Sequence, residues 1–175
     1  MSGYYAIPKS GQGPAIMVLP AWWGLNAFFR GLCDRLAGEG FVAFAPDLYQ
    51  GRVAVTLEEA KALRSKLNQQ VVFAELLAEI NELQRMEGVT DQRVGLIGFS
   101  MGARFALELS VQSPAVAAVV TFYGASIVDY VPSKAAYLCH FAETDPWLAA
   151  SGVKRLEKAL RSAGRPFEFH TYPGT

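Results

Sequence analysis

The segment Val94-Gly-Leu-Ile-Gly-Phe-Ser-Met-Gly-Ala103 runs from an apolar strand pattern directly into a helical pattern. Its centre, Gly98-Phe-Ser-Met-Gly102, matches G-x-S-x-G, the nucleophile elbow that lifts a serine hydroxyl into a cleft at the start of a helix. Side chains two residues on either side of Ser100 would collide with the neighbouring strand and helix, which explains both glycines. A Gly/Ser turn that merely joins strand to helix is the alternative. We favour the elbow because both flanks fit it.

Apolar strand patterns alternate with helical patterns along the rest of the chain. Strands are predicted over 15–19, 42–45, 94–97, 117–122, 136–141 and 166–172, and the first five are expected to be buried on both faces. Helices are predicted over 26–36, 57–66, 72–85, 100–111 and 152–163, with Asn26 and Thr56 as N-caps. This alternation predicts one α/β domain over residues 1–175, a doubly wound and mostly parallel sheet flanked by helices.

Composition excludes several classes of protein. The chain has 16 basic and 16 acidic residues without a long run of either sign, which argues against a nucleic-acid partner. Apolar stretches such as 115–123 are far shorter than the ~20 residues that a membrane-spanning helix needs. No secretory signal is recognisable at the start. Cys33 and Cys139 have no metal-ligand spacing, so we expect buried thiols, a cytoplasmic protein, and neither metal nor cofactor.

A serine hydroxyl needs a base, and the base needs an orienting carboxylate. In this type of fold the chain order is Ser, then Asp or Glu, then His. Asp145 follows a predicted strand and precedes Pro146, so we predict that it is the carboxylate. Asp-Pro also starts ordinary turns, and Glu143 is the nearby competitor. The N–H of Met101 and the helix dipole would stabilise an oxyanion.

The base is not evident, because the sequence contains only two histidines. His140 precedes Asp145 and so violates the expected order. His170 comes before the loop that should deliver a base. Both are predicted to be strand residues rather than catalytic ones.

At this point the chain resembles the dienelactone hydrolase family of the α/β-hydrolase superfamily over essentially its whole length. Each matching segment is weak by itself, but the six in this order are specific to the family. They are Val18-Leu-Pro-Ala-Trp-Trp-Gly-Leu-Asn26, Ala45-Pro-Asp-Leu-Tyr49, Gly98-Phe-Ser-Met-Gly102, Phe122-Tyr-Gly124, Glu143-Thr-Asp-Pro-Trp147 and Tyr172-Pro-Gly174.

The resemblance implies an α/β-hydrolase fold and hydrolysis of lactones or small esters by a nucleophile–His–Asp triad without a metal. The family's nucleophile falls on Ser100 and its aspartate on Asp145. Its two oxyanion-hole N–H groups fall on Trp22 and Met101. The family's histidine follows the Tyr-Pro-Gly motif by a few residues, which is past Thr175. The resemblance therefore implies a truncated chain, whose gene continues with a histidine and a final helix.

Two departures from the family bear on the substrate. Members that open dienelactones usually have Cys where this chain has Ser100, and a Glu that contacts the thiol where this chain has Ala21. A thiol is partly ionised and benefits from that partner, whereas a serine depends on its histidine. We therefore favour a general carboxylesterase. Family members also bind a substrate carboxylate with arginines, but Arg52 and Arg64 are interpreted as solvated charges.

Aromatic residues cluster at or near the predicted strand ends and predict an apolar pocket for a small molecule. They are Trp22, Trp23, Phe28, Tyr123 and Trp147. We predict that Trp23, Tyr123 and Trp147 contact the substrate. Two functions remain: a serine hydrolase of small esters or lactones, or a non-catalytic α/β-hydrolase-fold protein that binds a ligand.

Overall fold

The computed structural model describes every residue from Met1 to Thr175 and contains seven strands and five helices. In chain order they are β1 (Gly3–Ala6), β2 (Gly13–Leu19), α1 (Ala27–Gly38), β3 (Val42–Pro46), α2 (Leu57–Ser65), α3 (Gln69–Arg85), β4 (Val89–Phe99), α4 (Met101–Gln112), β5 (Val116–Phe122), β6 (Ala136–Ala142), α5 (Ala150–Ser162) and β7 (Phe167–Tyr172).

The strands form one sheet in the order β1-β3-β2-β4-β5-β6-β7, and every pairing except β1 with β3 is parallel. The doubly wound, mostly parallel architecture predicted from the sequence is confirmed. After β3 the chain crosses to the other side of β2 and continues through β4 to β7. The order therefore reverses between β2 and β4, and a cleft at their carboxyl ends is where such sheets bind ligands.

Helices cover the two faces of the sheet unequally. On one face, α3, α4 and α5 contribute to a core of 23 buried residues that includes Leu76, Leu107 and Leu156. On the other, α1 packs over β2 and β3 around Phe29 and Cys33. None of the helices is long and apolar enough to cross a membrane.

The predicted helix caps are present. The Asn26 side chain accepts hydrogen bonds from the N–H groups of Phe28 and Phe29, at 3.1 and 3.4 Å. The Thr56 hydroxyl accepts one from the Glu59 N–H at 3.2 Å. The Glu59 carboxylate reaches back one residue further than a capping box requires, to the Val55 N–H at 2.8 Å. Both caps satisfy amides that have no partner inside the helix.

Three elements differ from the sequence-based expectation. β1 was not predicted, because its four residues are an edge strand with little apolar pattern. β4 begins at Val89 rather than 94, and the added residues 90–93 are polar and at least partly exposed. α3 begins at Gln69 rather than 72, because the side chain of Asn68 caps it by accepting the Val71 N–H.

The expectation that the first five predicted strands are buried on both faces is wrong for β5 and β6. α1 covers only the β1–β3 side of its face, so Ala118 of β5 and Ala136 of β6 are exposed. On this face the rings of Phe99, Phe122, His140 and His170 stack in a row across four strands, and only Phe99 packs against α1. Successive centroids lie 4.7, 4.7 and 5.4 Å apart.

This stack makes stability depend on pH. Burial and the neighbouring His170 lower the pKa of His140, and Glu168 opposes them. The unfolded chain therefore binds a proton more readily than the folded chain. The stability that neutral His140 gives the folded state is present above the ordinary histidine pKa of about 6.5 and is lost as pH falls below it.

Accordingly, we expect the urea midpoint of the wild type to fall more than that of His140→Phe between about pH 7.5 and about pH 5.5. Phenylalanine keeps a ring in the stack but cannot take up a proton. All other residues are the same in both proteins, so the difference between them reports on His140 and its contacts in the stack. Equal acid sensitivity of the two proteins would contradict this account.

Candidate active site

Ser100 forms the turn between β4 and α4 with φ of +52° and ψ of −110°. This left-handed φ is costly for a residue with a side chain, and such strain concentrates at functional sites. The turn is held at both of its backbone groups. The Ser100 N–H donates to the Phe122 carbonyl at 3.0 Å, and the Ser100 carbonyl accepts from the Arg104 N–H at 3.2 Å.

The glycines on either side of Ser100 are required by two close approaches. A Cβ at Gly98 would lie 2.6 Å from the Cα of Ala103 in α4. A Cβ at Gly102 would overlap the Leu19 carbonyl and lie 2.7 Å from the Pro20 oxygen, at the end of β2. A side chain at either glycine would therefore collide with the helix or the strand, as inferred from the sequence. The two glycines let α4 begin directly against the carboxyl end of β2.

A cavity of about 440 Å³ opens beside Ser100 at the carboxyl ends of the central strands. Nine of its fourteen lining residues are hydrophobic, as is common in small-molecule sites. The lining consists of Ala21, Trp22, Trp23, Leu57, Arg64, Ser100, Met101, Arg104, Tyr123, Gly124, Ala125, Asp145, Trp147 and Leu148. Phe28 apart, the structure thus brings together the residues in this sequence that were nominated for a triad, an oxyanion hole or a substrate pocket, which are Ser100, Asp145, Trp22, Met101, Trp23, Tyr123 and Trp147. Their chemical roles stay predictions.

The two nominated amides lie on either side of the elbow. Trp22 follows β2 in a turn closed by the Gly24 N–H on the Ala21 carbonyl at 3.1 Å, and its own N–H has no hydrogen-bond partner in the protein. Met101 is the first residue of α4, where amides have no acceptor within the helix. A loop amide and a helix start lining one cavity are the parts from which an oxyanion hole is made.

Asp145 lies in the loop between β6 and α5, and its side chain is fixed by its own turn. Oδ1 accepts the N–H groups of Trp147 at 2.7 Å and Leu148 at 3.1 Å. Oδ2 accepts no hydrogen bond from the protein and is free to orient a base. The competing carboxylate, Glu143, does not line the cavity, because its Oε2 accepts the Gly174 N–H at 3.0 Å.

Neither histidine lines the cavity. His140 is stacked between Phe122 and His170, and its Nδ1 lies 2.8 Å from the Tyr172 hydroxyl. His170 Nε2 lies 2.8 Å from the Glu168 carboxylate. Both are strand residues of the uncovered face, as predicted. No cluster of three or more His, Cys, Asp or Glu side chains is arranged to hold a metal ion.

Aromatic rings form the rim of the cavity. Trp22 packs edge-to-face against Trp147 at 5.5 Å and against Trp23 at 6.1 Å. Tyr123 has a left-handed φ of +44°, and burial raises the pKa of its hydroxyl. Phe28, which the sequence grouped with these residues, is instead an exposed residue of α1 that packs against Phe29 and Phe99.

Arg52 and Arg64 are both exposed, as their interpretation as solvated charges expects. Arg64 lines the cavity although it is exposed, whereas Arg52 does not line it. Arg104 also lines the cavity and was missed. Its position four residues after Ser100 in the predicted helix was the available signal, since residues four apart share a helix face.

Comparison with known proteins gives matches over almost the whole chain. The sequence model of the "Dienelactone hydrolase family" matches residues 1–175. The chain is 28% identical over 195 residues to a "Putative carboxymethylenebutenolidase" of Synechocystis sp., covering 99% of this chain and 79% of that protein. It is 30% identical over 182 residues to "Protein usf" of Aquifex pyrophilus, covering 98% and 78%. A crystal structure titled "Putative Dienelactone Hydrolase" from Klebsiella pneumoniae superposes with a TM-score of 0.86 at 28% identity, covering 99% and 80%.

The close approach of α4 to β2 can be tested by adding one methyl group. We expect Gly102→Ala to lower the free energy of unfolding by about 1–3 kcal/mol or more, because the new Cβ would overlap backbone atoms that must shift. Gly31→Ala is the matched control, since Gly31 lies within α1 with nothing within 4 Å of an added Cβ. It should stabilise by about 0.5–1 kcal/mol. Urea unfolding measures both, and similar effects of the two changes would refute the close approach.

Proposed function

Since this chain belongs to the dienelactone hydrolase family, we propose that it hydrolyses small carboxylic esters or lactones with Ser100 as the nucleophile. The observation that carries the proposal is the strained Ser100 at the head of α4, beside a cavity that Asp145 also lines. The name of the Synechocystis relative denotes an enzyme that acts on a butenolide, which is a lactone. Ester or lactone hydrolysis is therefore the reaction class, and the serine mechanism is our inference.

In the proposed mechanism, Ser100 Oγ attacks the carbonyl carbon of the substrate while a histidine takes the hydroxyl proton. The carbonyl oxygen becomes an oxyanion that accepts hydrogen bonds from the N–H groups of Trp22 and Met101. The histidine returns the proton to the leaving alcohol, and the acyl group remains on Ser100. Water activated by the same histidine then releases the acid, and Asp145 Oδ2 stabilises the protonated histidine at each step.

We expect the histidine to come from chain that follows Thr175. The Thr144 N–H donates to the Thr175 carbonyl at 3.0 Å, so residue 175 lies against the residue preceding Asp145. A histidine a few residues further along would begin beside the carboxylate that must orient it. The final helix implied by the family resemblance would have the uncovered face of β5–β7 to pack on.

Serine rather than cysteine favours ordinary esters as substrates. Ala21 lines the cavity at the position where dienelactone-opening relatives carry a glutamate, so no carboxylate at that position faces the nucleophile.

A cytoplasmic setting remains part of the proposal. It rests on two buried, unpaired thiols, with burial raising the pKa of Cys33 to about 12 and that of Cys139 to about 11.

One observation favours the alternative function, a non-catalytic protein that binds a small ligand. Neither His140 nor His170 lines the cavity, so the 175 residues contain no base beside Ser100. The aromatic rim, the arginines and the cavity would serve a binding protein as well as an enzyme. Reactivity of Ser100 separates the two functions, because only an activated serine forms a covalent adduct with an electrophile.

We therefore expect a fluorophosphonate probe to label the full gene product at Ser100. Ser100→Ala should abolish labelling and lower the hydrolysis rate by about 10⁴-fold or more. Ser151→Ala, which removes an exposed serine at the start of α5, should leave both unchanged. Mass spectrometry locates the adduct. An unlabelled Ser100 in a gene product that carries the histidine would favour the binding function instead.

The source of the base has its own test. Residues 1–175 alone should hydrolyse p-nitrophenyl esters feebly or not at all, whereas the full gene product should turn them over. His140→Gln and His170→Gln in the full gene product should each keep its rate within about threefold, since neither ring lines the cavity. Efficient hydrolysis by residues 1–175, lost on changing His140 or His170, would make a strand histidine the base.

A further inference from the structure

Arg104 lines the cavity, and its guanidinium has two contacts with side chains of the protein. Its Nε donates to Glu108 Oε1 at 2.7 Å, across one turn of α4, and Nη2 lies 3.5 Å from Gln69 Oε1. A guanidinium has five N–H donors, so three of them have no partner in the protein. An arginine whose free donors are held in a cavity beside a nucleophile is suited to bind an oxygen of the substrate.

Glu108 fixes the cavity wall as well as the arginine. Its side chain is only 15% exposed, and Oε1 also accepts the Ser126 hydroxyl at 2.8 Å. The Ser126 carbonyl in turn accepts the hydroxyl of Tyr130, a fully buried residue, at 2.8 Å. The loop that carries Tyr123, Gly124 and Ala125 into the cavity is thereby tied to α4. Glu108 is a partly buried carboxylate that the proposed mechanism does not use.

The charges around the cavity balance. Arg64, Arg104 and Asp145 are the charged residues of the lining, and Glu108 lies directly behind Arg104. Two positive charges therefore meet two negative ones. A carboxylate on the substrate would approach an arginine that Glu108 already neutralises, whereas a neutral oxygen would still find three free donors.

We propose that Arg104 is a specificity-determining residue that binds an uncharged oxygen, such as an ether or ketone oxygen, on the part of the substrate remote from the reacting carbonyl. Glu108 is the positioning residue that fixes Arg104 and cancels its charge. This inference rests on the proposed function and deepens it: the substrates are neutral, oxygen-bearing esters or lactones rather than plain hydrocarbon esters or carboxylate-bearing ones.

Three methyl ketones test the proposal without any reaction, because a ketone imitates an ester but cannot be hydrolysed. The first has a plain alkyl chain, the second has one CH₂ of that chain replaced by an ether oxygen, and the third ends in a carboxylate. Dissociation constants follow from intrinsic fluorescence, since Trp22, Trp23 and Trp147 line the cavity. The wild type should bind the ether ketone roughly tenfold more tightly than the alkyl ketone, and Arg104→Met should abolish that preference.

Glu108→Gln provides a change in ligand preference that a purely structural role of Glu108 would not produce. The amide keeps an acceptor for Arg104 and Ser126 but removes the negative charge. Affinity for the carboxylate ketone should rise roughly fivefold or more, while affinity for the ether ketone stays unchanged. Arg161 and Glu157 form the matched control, an exposed pair of the same spacing on α5 at 2.8 Å. Arg161→Met and Glu157→Gln should alter neither preference.

Several results would overturn the inference: equal binding of all three ketones, binding of none, tighter binding of the carboxylate ketone by the wild type, or an ether preference that survives Arg104→Met. If Arg104→Met fails to fold, Glu108→Gln alone tests the inference. An unchanged affinity of that variant for the carboxylate ketone would then refute the charge balance. Ser100 labelling distinguishes failure of this inference from failure of the proposed function. A labelled Ser100 with no ether preference refutes only the role of Arg104, whereas an ether preference with an unreactive Ser100 refutes the hydrolase function.

Discussion

The contact between the first turn of α4 and the carboxyl end of β2 is the constraint on which the site depends. It exists only because Gly102 has no side chain to strike the Leu19 carbonyl. With the helix that close, the chain has no room for a relaxed turn, and Ser100 is forced to positive φ. The same contact brings the loop after β2 against the start of the helix, so Trp22 and Met101 line one cavity. Strain at one residue and proximity of two amides therefore have a single cause.

The opposite wall of the cavity is organised by one carboxylate. Asp145 uses Oδ1 to hold the amides of Trp147 and Leu148, and this turn presents the Trp147 ring to Trp22. Oδ2 accepts no hydrogen bond from the protein. The residue that we propose to stabilise the protonated histidine thus also shapes the aromatic rim.

Sequence reasoning reached the parts of the molecule that local physics determines. The parallel sheet followed from apolar strand segments, and the elbow followed from the two glycines around Ser100, because each signal lies within a few neighbouring residues. β1 was not predicted, because its pairing with β3 is a tertiary interaction with no local sequence signal. Phe28 was misassigned because its position near a strand end does not reveal that the helix points its ring away from the cavity. Arg104 was overlooked, although helical spacing from Ser100 would have identified it.

The division of labour between the two oxygens of Asp145 has an evolutionary consequence. Asparagine carries the same acceptor at Oδ1, so it would preserve the turn, the indole and the cavity while removing the negative charge. A single-codon change at this position would then separate recognition from turnover without disturbing the architecture. Under the proposed mechanism, one substitution would convert this hydrolase into a receptor for the same small molecule, and one substitution would reverse the change.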